Sequence, residues 1–184
     1  MIHQYWDVKH IRNGEVIWEE TYKQNSLANQ GASAILQLFY RKATLITLGS
    51  NTYSVPTNFY VRLCNYSPLV TDTLLSIQNE PTRNFYGAQV VPASTAGFPV
   101  LDVSPDGNPR LTSAIVTFSA SGGNIGPVTN AFLATTGGTT DPVTGVFTPD
   151  NTGFLVGFLP LSIQRTIIAG DSMTYQFYAE EGNS

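Results

Sequence analysis

The first two dozen residues alternate between apolar and polar side chains, which is the period of a β-strand. The alternation runs through residues 5–12, stops at Asn13-Gly14 and resumes over residues 15–19. Asn and Gly tolerate the positive φ angles that a two-residue hairpin turn requires. The pattern therefore predicts an N-terminal β-hairpin.

A helical period follows the hairpin. Apolar residues recur every three or four positions over residues 27–39, and Ser26 can cap the first turn. Gly31 lies inside this predicted helix, where a glycine costs about 1 kcal/mol relative to alanine. A glycine at this position indicates the close approach of another backbone.

Beyond the helix the pattern is that of β-strands almost throughout. Some segments alternate, which predicts one buried face, and others are continuously apolar, which predicts cover on both faces. The predicted strands are residues 59–64, 111–120, 128–135, 154–159 and 173–179. Many strands with a single early helix predict a mainly β fold, a jelly-roll or β-sandwich with an N-terminal hairpin and one short helix.

The chain is expected to divide into a hairpin arm, residues 1–24, and a single β-sandwich domain, residues 25–184. Polar Gln24 and Asn25 join the two parts. We therefore expect the hairpin to dock on a partner and not to complete the domain's own sheet. Two stretches rich in proline, glycine and threonine predict exposed loops, residues 92–109 and 136–153.

The charge content is low. Only 12% of the residues are charged, about half of the ~25% in an ordinary soluble domain, although 42% are hydrophobic. The surface must therefore be built largely from uncharged polar groups. Burying a hydroxyl or an amide needs one hydrogen-bond partner, whereas burying an unpaired charge costs far more. The composition predicts a homo-oligomer or a subunit that its neighbours cover.

Charge and cysteine content exclude several classes of partner. The net charge is −4, and the three lysines all lie within the first 42 residues, so no basic stripe for nucleic acid is expected. The apolar runs are too short to span a bilayer, and the first 20 residues carry too many charges for a signal peptide. We expect no membrane partner. Cys64 is the single cysteine and is predicted to be buried in a strand.

One tripeptide resembles a catalytic motif. Gly170-Asp171-Ser172 is similar to the nucleophile block of one esterase class. That block opens the esterase domain and works with a histidine near the C-terminus, whereas here His3 and His10 lie at the opposite end. We instead predict a turn that starts the last strand, with Asp171 bonded to local backbone. No other pattern predicts a catalytic residue or a cofactor site, so we expect a non-enzymatic chain.

Two turn-rich segments carry oxygen ligands that calcium uses. They are Asp102, Asp106 and Asn108 in one segment and Asp141, Asp150 and Asn151 in the other. Neither matches the twelve-residue spacing of a helix-loop-helix calcium site. Turn formation is the simpler explanation, so we predict no metal site and keep calcium binding as the alternative.

The N-terminal hairpin concentrates aromatic residues. The candidate partner interface comprises Tyr5, Trp6, His10, Trp18 and Tyr22. Trp6 and Trp18 could stack on a sugar or insert into a partner protein, and the alternative is a cross-strand pair on the domain's own core. His10 falls among the polar-facing positions and is predicted to be solvated or at the interface.

Several fragments along the chain carry a family resemblance. They are residues 25–31 before the helix, residues 59–65, Thr71-Asp72-Thr73-Leu74 followed by Glu80-Pro81-Thr82-Arg83, and residues 123–136 and 159–171. Together they resemble small virion structural proteins of tailed bacteriophages. That group includes head decoration (cement) proteins as well as tail and neck components, and no catalytic residues come with the resemblance.

The resemblance implies a virion protein assembled in the host cytoplasm. The leading expectation is a decoration protein that binds and stabilises the capsid by contacting the major capsid protein, as a homotrimer. The alternatives are a tail or neck component, or a carbohydrate-binding module with Trp6 and Trp18 as its platform.

Local chemistry explains the fragment around residue 72. Asp72 and Thr73 can cap a helical turn that carries Leu74 onto the sheet. Glu80 is placed to pair with Arg83 across a bend fixed by proline. We expect this segment to hold a crossover between sheets.

Overall fold

The computed structural model describes residues 2–24, 27–92, 100–103, 107 and 109–181. Within these residues lie one α-helix, α1 (Asn29–Tyr40), and one short 3-10 turn (Leu74–Ser76). The strands are β1 Ile2–Arg12, β2 Glu15–Gln24, β3 Leu45–Leu48, β4 Asn51–Ser54, β5 Asn58–Cys64, β6 Gln89–Pro92, β7 Val100–Val103, β8 Pro109–Thr112, β9 Val116–Ser119, β10 Ile125–Ala134, β11 Gly138–Thr140, β12 Phe147–Pro149, β13 Leu155–Ile167 and β14 Asp171–Glu181.

Two antiparallel sheets make up most of the fold. The larger has six strands in the order β2-β1-β14-β8-β7, with β9 also paired to β14. The smaller has four strands in the order β13-β10-β5-β6. Two separate hairpins, β3-β4 and β11-β12, lie outside these sheets. The mainly β, sandwich-type fold predicted from the sequence is confirmed.

The main core lies between the two sheets. The inward residues of β1 and β14 meet those of β5 and β10 in one buried cluster. Its members include Trp6, Val8, Tyr175, Phe177, Val61, Leu63, Ala131 and Leu133. Alternate residues of a strand point to the same side, so in β1 and β14 every second residue is buried by this packing. A second buried cluster, which includes Phe132 and Leu155, covers the other side of the smaller sheet.

The N-terminal hairpin is part of the larger sheet. Asn13 and Gly14 form its turn with φ angles of 51° and 82°, as predicted. Strand β1 then pairs with β14 along its whole length, from Ile2 opposite Glu181 to Arg12 opposite Asp171. The expectation of an arm that leaves the domain's own sheet is therefore wrong. The reason is that the inward side chains of β1 find their apolar partners on β14.

Helix α1 confirms the predicted helical segment. The residue before its first turn is Ala28, while Ser26 lies outside the described residues. A methyl group added at Gly31 would overlap the backbone carbonyl of Val156, so the predicted close approach is also confirmed. Within the described part of the chain, no helix combines the length and apolar character needed to cross a membrane.

Three predicted segments differ from the structure. Residues 111–120 divide into β8 and β9, because Ser113 turns aside and its hydroxyl accepts the Phe177 backbone N–H at 3.0 Å. The predicted loop 136–153 contains the β11-β12 hairpin. The predicted loop 92–109 contains β7, while residues 93–99, 104–106 and 108 lie outside the described residues.

Candidate functional site: the outer face of the six-stranded sheet

The larger sheet presents a polar surface on the side away from the core. Met173, Tyr175 and Phe177 of β14 are buried, so the residues between them point outward. We call this surface the outer face. Its residues include Tyr5, Asp7, Lys9, Ile11, Glu19, Thr21, Thr117, Ser119, Ser172, Thr174, Gln176 and Tyr178.

Strand register places these side chains in rows across the sheet. Thr174 lies opposite Lys9 on one side and opposite Thr117 on the other. Lys9 in turn lies opposite Glu19, and their charged atoms are 3.3 Å apart. The positive charge of Lys9 on this face is therefore balanced by a negative neighbour.

The carboxylate of Asp7 on this face also has hydrogen-bond partners. Its carboxylate accepts hydrogen bonds from the hydroxyls of Thr21, at 2.5 Å, and Tyr178. The Arg110 guanidinium lies 4.7 Å from the centre of the Tyr178 ring, which is a cation–π contact. The outer face therefore presents mostly hydroxyl and amide groups, and its carboxylates have partners.

The predicted hairpin interface is only partly at the surface. Trp6 and His10 are buried, so both were wrongly predicted to lie at an interface. Trp6 packs on Phe177, with the ring centres 5.1 Å apart. Tyr5 is half-buried on the outer side of β1 and stays a candidate. The backbone of Tyr22 pairs with that of Trp6, while the Tyr22 side chain lies outside what the structure describes.

Trp18 is half-buried and packs against the core. The guanidinium of Arg165 lies 4.0 Å from the centre of its ring and covers it. Because Trp6 is fully buried, the two tryptophans do not form the exposed platform on which a sugar would stack. The carbohydrate-binding alternative was based on Trp6 and Trp18 as an exposed pair, and the structure does not support that pair.

His10 belongs to a buried polar cluster. Its Nε2 atom lies 2.8 Å from Asp171 Oδ2, and the Arg12 guanidinium donates to the same carboxylate at 2.9 and 3.0 Å. The hydrogen bonds from Arg12, followed by that from His10, lower the pKa of Asp171 against the opposing effect of burial. The cluster joins the last residues of β1 to the first residue of β14.

Asp171 of this cluster belongs to the tripeptide Gly170-Asp171-Ser172, which resembles an esterase nucleophile block. The Asp171 backbone N–H donates to the Ile168 carbonyl at 2.9 Å, so the predicted turn is confirmed. The Asp171 side chain bonds to β1 and not to local backbone, which corrects that part of the prediction. Ser172 points to the outer face, on the side opposite His10, so the two do not form a nucleophile–base pair.

A second buried ion pair lies on the smaller sheet. Arg62 is fully buried on β5, and its guanidinium donates to Glu80 at 2.9 and 2.5 Å. Glu80 was predicted to pair with Arg83, and that prediction is wrong. The remaining Arg62 N–H groups donate to the carbonyls of Asp150 and Thr136 and to Asn151 Oδ1. The pair therefore fixes the turn that leads into β13.

Tyr86 extends this buried network. Its hydroxyl donates to Glu80 Oε1 at 2.8 Å and accepts the Leu63 backbone N–H at 2.8 Å. Burial, together with the Glu80 charge, raises the pKa of Tyr86 well above its ordinary value. Sequence reasoning missed the network because its members are far apart in the chain, although a lone arginine in an apolar strand was an available signal.

The segment around residue 72 is ordered by short-range bonds. Thr73 caps the 3-10 turn through reciprocal bonds with Ser76, as predicted for Thr73. Asp72 has another role, because its carboxylate accepts the Tyr66 hydroxyl at 2.9 Å and the Leu69 backbone N–H at 2.8 Å. Leu74 is buried against the smaller sheet.

Cys64 is buried, as predicted. Burial raises its pKa to about 12, so the thiol stays protonated at neutral pH.

Asp141 and Asp150 accept backbone N–H bonds from the turns that they start, which lowers the pKa of each. Asp106 and Asn108 lie outside the described residues. Among the described residues, no three His, Cys, Asp or Glu side chains converge to hold a metal ion.

An open groove lies beside the smaller sheet. Its volume is about 610 Å³, and it is bordered by the start of α1, the β3-β4 hairpin, the 3-10 turn and the turn before β13. Gln30, Tyr53, Leu75, Asp150 and Asn151 are among its lining residues. We call it the β4 groove.

Comparison with known proteins supplies no assignment. No family model matches the chain, and no curated protein matches it. Function is therefore inferred from the geometry of the outer face and the β4 groove.

Proposed function

We propose that the chain is a non-enzymatic structural protein of a tailed-bacteriophage virion. In this proposal it is a head decoration protein that binds the major capsid protein through the outer face. The observation that carries the proposal is the composition of that face, a sheet surface of hydroxyl and amide groups with its carboxylates already partnered. The resemblance of several fragments to virion proteins supports the same assignment.

The chemistry of the outer face suits a surface that is covered. A hydroxyl such as that of Thr174 or Ser119 can be buried with a single partner, whereas an unpaired charge cannot. Asp7 keeps its two hydroxyl donors when solvent is removed. A partner can therefore cover this face without leaving a buried carboxylate unsatisfied.

The proposal includes a homotrimer. Strand β2 forms one edge of the larger sheet among the described residues, and Val16 and Ile17 at its start are exposed. An edge strand with exposed apolar side chains favours contact with another chain. Light scattering on the isolated protein should give three times the mass of the 20.0 kDa chain. A monomeric mass would contradict the trimer. Binding to the particle is tested by a separate experiment.

The position in the particle is tested by immunogold electron microscopy. Antibody against the purified chain is applied to particles of the phage that encodes it, with antibody pre-absorbed on the chain as the control. Label on the heads supports a decoration protein. Label on the tail or neck contradicts decoration and favours the alternative virion position, and absence of specific label contradicts the virion assignment.

A further inference from the structure

We propose that the β4 groove is a binding site for a neutral saccharide. This proposal is independent of the outer face and of the assembly function. It rests on how the polar side chains of the groove are held, on its aromatic and apolar wall, and on the sign of its charge.

Three polar side chains of the groove are each fixed by one of their two terminal atoms. Gln30 Oε1 accepts the Leu155 backbone N–H at 3.0 Å. Asp150 Oδ1 accepts the Thr152 backbone N–H and hydroxyl at 2.9 and 2.7 Å. Asn151 Oδ1 accepts the Arg62 guanidinium at 2.9 Å. Each side chain is therefore oriented before any ligand arrives.

Within the described part of the chain, the second terminal atom of each of these side chains makes no hydrogen bond. These atoms are Gln30 Nε2, Asn151 Nδ2 and Asp150 Oδ2. The groove therefore offers two amide donors and one carboxylate acceptor. Vicinal hydroxyls of a sugar each donate and accept, so they pair with this combination.

The groove also has an aromatic and apolar wall. Tyr53 lines it, and its ring meets Phe154 edge-on with the centres 5.3 Å apart. Leu75 lines the groove and is exposed. The C–H face of a pyranose ring packs on such a surface while its hydroxyls reach the polar groups.

The charge of the groove selects a neutral ligand. No lysine or arginine is among the described residues that line it. Hydrogen bonds from Thr152 lower the pKa of Asp150, so its carboxylate is ionised at neutral pH. An anionic sugar or a phosphorylated ligand would meet this negative charge, because the nearby Arg62 guanidinium does not line the groove and is already paired with Glu80.

Rigidity of the site comes from the buried Arg62–Glu80 pair. Arg62 donates to the Asp150 carbonyl as well as to Asn151, which fixes both the backbone and the side chains of the turn. A site that is ordered in advance loses less conformational entropy when its ligand binds. The buried pair therefore acts as the support for the polar side of the groove.

The test uses the full chain and four neutral probes that differ in their sugars and linkages: maltotriose, lactose, mannotriose and N,N′,N″-triacetylchitotriose. Binding is measured by saturation-transfer NMR and calorimetry, with 3′-sialyllactose as the anionic comparison. Asp150→Asn and Asn151→Asp both keep the side-chain oxygen that bonds to the protein. Asp150→Asn replaces the second carboxylate oxygen, an acceptor, with an amide nitrogen that donates. Asn151→Asp makes the opposite exchange. Asp141→Asn is the matched control, because Asp141 starts a similar turn and does not line the groove.

At least one neutral probe should bind with a dissociation constant of about 1 mM or below. Asp150→Asn should weaken that binding about tenfold or more, and Asp141→Asn should leave it unchanged. Unchanged thermal unfolding of each variant excludes loss of fold as the cause. Failure of all four probes to bind, equal binding by Asp150→Asn, or tighter binding of 3′-sialyllactose would each contradict the proposal.

Discussion

The guanidinium of Arg62 and the carboxylate of Glu80 form two hydrogen bonds, at 2.9 and 2.5 Å, and the two side chains are only 1% and 8% exposed. The pair joins strand β5 to the segment that follows the 3-10 turn. Arg62 also holds the turn before β13, so one side chain connects three parts of the chain that are distant in sequence.

Removing one member of this pair should strongly destabilise the fold. Glu80→Ala leaves the Arg62 charge buried without its carboxylate, which costs about 3–5 kcal/mol. Arg83→Ala, at the exposed arginine that the sequence suggested as the partner, should change the free energy of unfolding by about 0.5 kcal/mol or less. Urea unfolding measures both. Equal effects of the two substitutions would contradict the assignment of the pair.

The backbone contact at Gly31 reverses the usual effect of alanine in a helix. Alanine is the better helix former by about 1 kcal/mol, but its methyl group would overlap the Val156 carbonyl. Gly31→Ala should therefore lower the free energy of unfolding by about 1–3 kcal/mol. Ser33→Ala, at an exposed position of the same helix, is the control and should be neutral or slightly stabilising. A stabilising Gly31→Ala would show that β13 moves to accommodate it.

Elements defined by neighbouring residues could be predicted from the sequence. The Asn13-Gly14 turn, helix α1, the turn before β14 and the tight contact at Gly31 all follow from local chemistry or periodicity. Contacts between distant residues could not be predicted this way. Nothing local to Glu80 favours Arg62, 18 residues earlier, over Arg83, and nothing local to His10 reveals Asp171.

The face on which His10 lies could have been read from the strand period. His10 shares the parity of Trp6 and Val8 along β1, so the alternation itself places it on their buried side. The prediction was wrong because it counted His10 with the polar positions by residue type. The outer face and the β4 groove were also missed, since each combines residues from elements that only the tertiary structure brings together.

The Asp171 cluster should contribute to stability in a pH-dependent way. Arg12 and His10 lower the pKa of Asp171 below its ordinary value of 3.8, so the unfolded chain takes up this proton at a higher pH than the native chain. The stabilisation is present above that ordinary value and is lost as pH falls through the lower native value. Arg12→Gln removes the largest cause and should flatten the loss of stability between about pH 5 and pH 2.

The measurement is the unfolding midpoint in urea as a function of pH. Arg83→Gln is the matched control, since it removes an exposed guanidinium that lies outside the cluster, and it should keep the wild-type pH profile. An Arg12→Gln profile parallel to that of wild type would show that Asp171 does not contribute through Arg12.

Deleting residues 1–24 should abolish cooperative unfolding. The deletion removes β1 from the middle of the larger sheet and takes Trp6 and Val8 from the core. It also exposes the edge of β14 that β1 had covered, which promotes aggregation. Thermal unfolding followed by circular dichroism checks this, and a truncated chain that unfolds cooperatively at a similar temperature would show that the hairpin is dispensable for the fold.

The most direct test of the outer face as a docking surface is co-sedimentation of the purified chain with particles that lack it. Thr174→Glu places a carboxylate opposite Lys9 on the outer face. The free chain tolerates this carboxylate, but a partner that covers the face would bury it. Thr57→Glu is the control, because it adds the same charge at an exposed position outside that face. Wild type and Thr57→Glu should stay bound from about 50 to about 500 mM salt, because uncharged contacts are little affected by screening, and Thr174→Glu should be released. Retention of Thr174→Glu, or steep release of wild type as salt rises, would contradict the account.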